Sequence, residues 1–195
     1  MKTNRLILAL LVAATAVLLQ GCFPLAAVGV GATALALDDR RSTGMYIEDE
    51  NIEWKARARL IDQHSGVHVN VTSYNLAVLL TGEVPNDETR KAVAETIRSI
   101  PSVKGVTNEI TISGNTSYAS RSSDALVTTN VKARLLNNGK VSANHVKVVT
   151  ENSVVFLMGI VSRDEGDAAA ETARTTSGAT RVVKVFEYIE AVPKR

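Results

Sequence analysis

A stretch of strand that occurs twice sets the terms on which this chain can fold. Residues 75–84 read NLAVLLTGEV and residues 152–161 read NSVVFLMGIV, aligned without a gap at an offset of 77. Each is an Asn at a turn, a nearly all-apolar run and a Gly, the pattern of a buried strand. A strand that returns implies a unit that returns. Ala58-Arg59-Leu60 faces Ala133-Arg134-Leu135, Val69 faces Val146, Ala94-Glu95-Thr96 faces Ala170-Glu171-Thr172, and Val106 faces Val182. These anchors keep one order, so the chain holds two tandem domains, residues 48–113 and 124–190, joined by a polar linker at 114–123 and followed by a tail at 191–195.

Ahead of the repeats stands an export signal. Lys2 and Arg5 precede an uncharged apolar run over residues 6–19, closed by Leu19-Gln20-Gly21-Cys22. The run is short for a membrane span and ends in small residues, as a signal peptide over 1–21 does. Cys22 is the only cysteine, so it has no intramolecular disulfide partner. The box around it resembles the lipobox of bacterial lipoproteins, which implies acyl and diacylglycerol modification of Cys22 and no other cofactor. More than one acyl chain holds a protein stably on a bilayer. Phe23 after the cysteine, by the same resemblance, favours the outer membrane. Residues 22–47 then read as a lipidated tether. Gly29-Val30-Gly31 within it lacks the strand, third Gly and Lys of a phosphate loop.

Charge excludes one class of partner. Without residues 1–21 the chain has 20 Lys plus Arg against 20 Asp plus Glu, no surplus with which to neutralise nucleic-acid phosphates. Residues 22–123 carry 10 basic and 12 acidic residues, and residues 124–195 carry 10 and 8. The second domain is therefore the better candidate for an anionic surface.

Within each domain the periodicity predicts helix, strand, strand, helix, strand. Glu48, Asp49, Glu50 and Glu53 ahead of Lys55, Arg57 and Arg59 suit a helix dipole, with Ile52, Ala56 and Leu60 as its buried stripe. Trp54 lies beside that stripe and reads as packing between helix and sheet or between domains, with a lipid or partner contact as the alternative. Val67, Val69 and Val71 alternate as a strand, a helix over 87–100 stops before Pro101, and 106–112 supplies a third strand. Domain two repeats this, its first helix over 124–137 burying Val127, Val131 and Leu135.

That order, twice over behind a lipobox, resembles the dual BON-domain lipoproteins of the bacterial outer membrane. The residues that carry the resemblance are Leu19-Gln20-Gly21-Cys22, Asp39-Arg40-Arg41-Ser42-Thr43-Gly44, the strand 75–84, Thr128, Thr129, Val131 and Lys132, and Val148-Val149-Thr150-Glu151-Asn152 running on to Gly159. The resemblance implies an α+β fold of two αββαβ sandwiches, each a mixed three-stranded sheet packed on two helices. It also implies phospholipid binding and support of envelope integrity from a lipid-anchored, periplasm-facing position, and no reaction.

The residues add a candidate lipid face. Leu126, Asn130 and Ala133, flanked by Lys132 and Arg134, form a stripe beside the buried one, an apolar tip with basic flanks that suits an anionic headgroup region. A solvated helix would look similar. The alternative function is a tethered module that docks envelope or division proteins. Catalysis has little to stand on. His64 and His68 are four apart, but Ser65-Gly66 breaks any helix between them, so no metal site is expected there. His145 stands before a strand with no cysteine or acidic cluster near it in sequence. Glu83, Asp87 and Glu88 read as solvated turn and helix-start residues, and no Ser or Thr sits in a nucleophile-elbow pattern.

Overall fold

A computed structural model describes residues 39–114 and 116–190. The expected signal peptide 1–21, Cys22 and the tether as far as residue 38 fall outside those residues, as does the tail 191–195; residues 39–47, expected as tether, belong to the folded part, with α1 already under way from Thr43. The fold is α+β, with two mixed sheets.

The first module runs α1 (Thr43–Gln63), β1 (His68–Tyr74), β2 (Ala77–Val84), α2 (Asp87–Arg98), β3 (Gly105–Asn108) and β4 (Thr111–Ile112). The second runs α3 (Tyr118–Leu136), a 3-10 turn (Ala143–His145), β5 (Val146–Glu151), β6 (Val154–Val161), α4 (Arg163–Arg174) and β7 (Arg181–Tyr188). In each, the repeated strand is the centre of the sheet. It pairs antiparallel with the strand before it and parallel with the one after α2 or α4. The third strand of the first sheet is broken into β3 and β4. Asn108 there accepts a hydrogen bond from the Ile110 amide through its side chain (3.2 Å), and Ile110 turns inward to 3% exposure.

Both first helices start ahead of where charge and spacing put them. Ser42 caps α1 by accepting from the Met45 amide, and Ser117 caps α3 by accepting from Ser120, the ordinary role of Ser at an N-cap. Ser120 and Ser122, read as linker, are therefore helical. The buried stripes are those the spacing gives: Ile52, Ala56 and Leu60 on α1, and Val127, Val131 and Leu135 on α3.

The early acids of α1 do not serve its dipole. Its first turn has no acid, and Asp49, 1% exposed, faces the β1–β2 turn. Asp49 accepts from the Asn75 and Leu76 amides and from Ser73 Oγ, each at 2.8 Å. Asn75 and Leu76 both have positive φ, 52° and 68°, so they form the two-residue turn that suits a hairpin's twist. In the second module Asp124 holds the Asn152 and Ser153 amides, both at 2.8 Å, at the matching turn, where φ is 52° and 63°.

Alternation along the central strands sends side chains to two cores. Val78, Leu80 and Val84 pack under α1 and α2, and Val155, Leu157 and Val161 pack under α3 and α4. The intervening residues, Leu79 from β2 with Phe156 and Met158 from β6, meet in a third cluster with Tyr74, Val149, Val183 and Val185. The two sheets thus pack face to face with a helix layer outside each. This is why both repeated strands are apolar on both sides.

Polar contacts border this seam. Lys147 Nζ donates to Glu53 Oε1 (2.8 Å) and the Ser73 carbonyl (3.2 Å). Arg41 lies over the Tyr74 ring at 4.1 Å and donates to Asp39 and Asp49. Burial, with the Asp39 charge adding, pushes the Tyr74 hydroxyl up to about 12. Arg40 forks onto Glu165 at 2.7 and 2.8 Å and reaches the Ile160 carbonyl at 2.8 Å. Those Arg40 bonds, with the Ser162 amide, hold the Glu165 carboxyl at about 2, below its usual 4.5. A carboxyl depressed by folding stabilises fully above its unfolded value and loses that contribution as pH falls through its folded one. The expected result is a melting temperature that drops between about pH 4.5 and pH 2, with Glu165→Gln less stable at pH 7 and flatter across that window. A thermal melt series checks it, and equal slopes for both proteins would contradict it.

Candidate functional site

The outward face of α3 is the surface that the sequence singles out for binding. Leu126, Asn130, Lys132, Ala133 and Arg134 are all exposed there, because Val127, Val131 and Leu135 take the inward face. Leu126 is 66% exposed. Two residues that the sequence reading leaves out extend the face. Leu136, 70% exposed, follows Leu126, Thr129 and Ala133 at spacings of three and four, and Tyr118 stands exposed in the first turn under the Arg121 guanidinium at 5.4 Å. Helical spacing is enough to find Leu136. Tyr118 is hidden because the serines around it read as linker.

The cations of this face differ. Among the described residues the lysine ion pairs are those of Lys91, Lys147 and Lys184, and Lys132 is in none of them. Arg134 instead donates to Thr176 Oγ1 (2.8 Å) and Thr175 Oγ1 (2.9 Å), binding α3 to the end of α4. It also borders a groove of about 830 Å³ with Lys140, Asp164, Asp167 and Glu171. Acids from α4 share that groove, so its field is mixed, and Lys132 is the cation best placed to meet an anion.

The first module carries a second apolar stripe. Ile47, Trp54 and Ile61 recur every seven residues along α1 and are 55%, 71% and 77% exposed. Trp54 therefore packs neither against the sheet nor between the modules. The inward face of α1 is taken by Ile52, Ala56 and Leu60, and the seam is filled by Leu79, Tyr74, Phe156 and Met158, so the indole stands outside both.

The histidines and acids with a bearing on chemistry are dispersed, with one exception. His64 ends α1, its Nε2 2.9 Å from Thr96 Oγ1, and His145 lies with Nδ1 4.0 Å from Glu165. Asp87 and Glu88 do open α2. Glu83 is a different matter from the solvated turn residue its sequence position suggests. Strand β2 runs through Gly82 to Val84, and Glu83 is 0% exposed. Its Oε2 lies 2.8 Å from His68 Nδ1 and accepts from Thr116 Oγ1 (3.2 Å). Glu151 from the second module lies close by, accepting from Asn70 Nδ2 (2.7 Å) and Thr81 Oγ1 (3.3 Å). Burial pushes the Glu151 carboxyl up, and the Asn70 hydrogen bond partly opposes it.

Two αββαβ modules that share one seam, and that present exposed apolar side chains on their outer helices, make a tandem module of the BON class. The chain belongs to the BON domain family, which matches it over residues 48–114 and 123–190. It is similar to outer membrane lipoprotein DolP of Haemophilus influenzae, 39% identical over 188 residues that cover 94% of this chain and 96% of that one. It is 35% identical to a 21 kDa hemolysin of Actinobacillus pleuropneumoniae, covering 78% of this chain and 80% of that one. Osmotically-inducible protein Y of Escherichia coli is 26% identical over 71% of this chain and 72% of its own length. No helix among the described residues is long and apolar enough to cross a membrane.

Proposed function

We propose that this chain is a non-enzymatic lipoprotein of the outer membrane, anchored by acyl chains on Cys22 and facing the periplasm, that binds anionic phospholipid through the outward face of α3. In doing so it supports envelope integrity. The observation that carries the lipid reading is the exposure of Leu126 and Leu136 on one helix face beside Lys132, which has no ion-pair partner among the described residues. Leucines at that spacing can enter the headgroup boundary while the ammonium meets lipid phosphate. The location and the anchor draw support from the lipobox and from a relative named as an outer membrane lipoprotein.

The test uses residues 22–195 with Cys22→Ala, so that acyl chains do not dominate, and vesicles with and without anionic lipid. Binding should require the anionic lipid and weaken with salt. Leu126→Glu with Lys132→Glu should reduce it at least about tenfold, since each basic residue near a charged bilayer is worth about 1 kcal/mol. Unchanged binding by the double variant rejects the face.

A second reading rests on Trp54. Ile47, Trp54 and Ile61 offer a docking stripe for an envelope or division protein, because aromatic anchors in apolar patches are where protein contacts concentrate their energy. A photocrosslinker at Ile61 in living cells would trap one discrete partner, and trapping lost in Trp54→Ala would tie that partner to the stripe.

A further inference from the structure

His68, Glu83 and Glu151 each offer a donor atom within 4.8 Å of the others. They come from β1, β2 and β5, so the cluster closes across the seam between the modules. His68 and Glu83 are register partners on adjacent strands, and Glu151 ends β5 opposite them. Two carboxylates and an imidazole make a donor set suited to a divalent transition ion, which takes imidazole nitrogen and carboxylate oxygen together.

A second, independent observation comes from Glu83. Its side chain is 0% exposed, yet Oε1 has no hydrogen-bond partner among the described residues. A buried carboxylate oxygen without a donor is costly, and a cation is what removes that cost. Asn70 and Thr81 already hold Glu151 from behind, the outer support that orients a metal-ligating carboxylate. Beside the cluster lies a groove of about 470 Å³ bordered by His68, Asn70, Arg121, Asp124, Thr128 and Glu151, which gives an ion a way in. Two carboxylates against one dication close the charge. The competing cation is Arg121, whose guanidinium is drawn toward the Tyr118 ring.

We infer that His68, Glu83 and Glu151 form a binding site for a divalent transition-metal ion, with Zn²⁺ the ion of best fit, that clips the first module to the second. Zn²⁺ bonds of about 2.0–2.2 Å need the three donors to draw together slightly, a movement within side-chain reach. The remaining coordination position opens to the groove and takes water.

The full chain purified in detergent, free of chelator and affinity tag, is titrated with Zn²⁺ by calorimetry. One ion should bind per chain, and the His68 ring resonances should shift in step with it. His68→Ala and Glu151→Gln should each weaken binding at least about tenfold, whereas His64→Ala and His145→Ala should leave it intact. At a hundredfold excess over Kd the melting temperature should rise by about 5–10 °C, and the rise should vanish in His68→Ala. His68 is a partly exposed strand residue, so that variant keeps its fold. Absence of Zn²⁺ binding at millimolar metal, or binding that His68→Ala and Glu151→Gln leave unchanged, overturns the inference.

Discussion

Replacing Gly82 with alanine should leave the first module unfolded at room temperature, and Gly159→Ala should do the same to the second by a slightly smaller margin. A Cβ at Gly82 would sit 2.0 Å from the His68 carbonyl oxygen, and at Gly159 2.3 Å from that of His145. Both obstacles are backbone. Neither can swing aside, because His68 opens β1 and His145 immediately precedes β5, and both strands are fixed by their ladders to β2 and β6. Gly82 also has φ of +109°, a conformation close to forbidden for a residue with a side chain. Clash and backbone strain together should cost more than about 4 kcal/mol. That is most of what a domain of this size possesses. Guanidinium unfolding followed by circular dichroism reads the outcome directly. A Gly82→Ala protein within about 0.5 kcal/mol of the parent would mean that the paired strands do not approach so closely.

Asp49→Ala should be the most damaging single removal of a charge. The carboxylate takes two turn amides, the Ser73 hydroxyl and Arg41; the turn amides and the hydroxyl lose this partner at once in a site 1% exposed, and Arg41 is left with Asp39 alone of its two carboxylates. Breaking a buried charged network from one side costs about 3–5 kcal/mol. The turn it holds adds to this, since Leu76 at a φ of 68° is poorly tolerated without those bonds. Asp124→Ala orphans only the Asn152 and Ser153 amides, so its cost should be nearer 2 kcal/mol. Denaturant melts of the two variants side by side give their order, which is the informative result. If Asp124→Ala proved the worse, the turn amides and not the Arg41 network would set the stability.

Much of this architecture is readable in the chain because strand alternation and helix spacing are local. Ile52, Ala56 and Leu60, or Val127, Val131 and Leu135, sort inward by period alone, and the same period leaves Leu126 and Ala133 outward. What escapes are residues whose role is set by a distant partner. Asp49 and Glu53 resemble dipole acids in the sequence, and only the returning turn and Lys147 of the other module reveal why they are buried. Trp54 reads as packing because large aromatics usually bury, yet Ile52, Ala56 and Leu60 already take the inward face of α1 and leave the indole on the outer one. Glu83 looks like the first residue of a connection because Gly82 looks like the end of a strand. The close approach of the paired strand that demands a glycine there lets β2 continue, which carries Glu83 inside. His68, Glu83 and Glu151 meet only after both modules fold, so no spacing in the chain announces them.

The face-to-face pairing of the sheets has a consequence for what the protein can touch. Because the seam consumes the inner surface of each copy, α1 and α3 are left looking in opposite directions. A flat bilayer can rest against one of them at a time. If the leucines of α3 lie on lipid, as proposed, the Trp54 side is turned to the aqueous compartment, and the two modules would then work as a two-sided adaptor and not as a doubled grip on one surface.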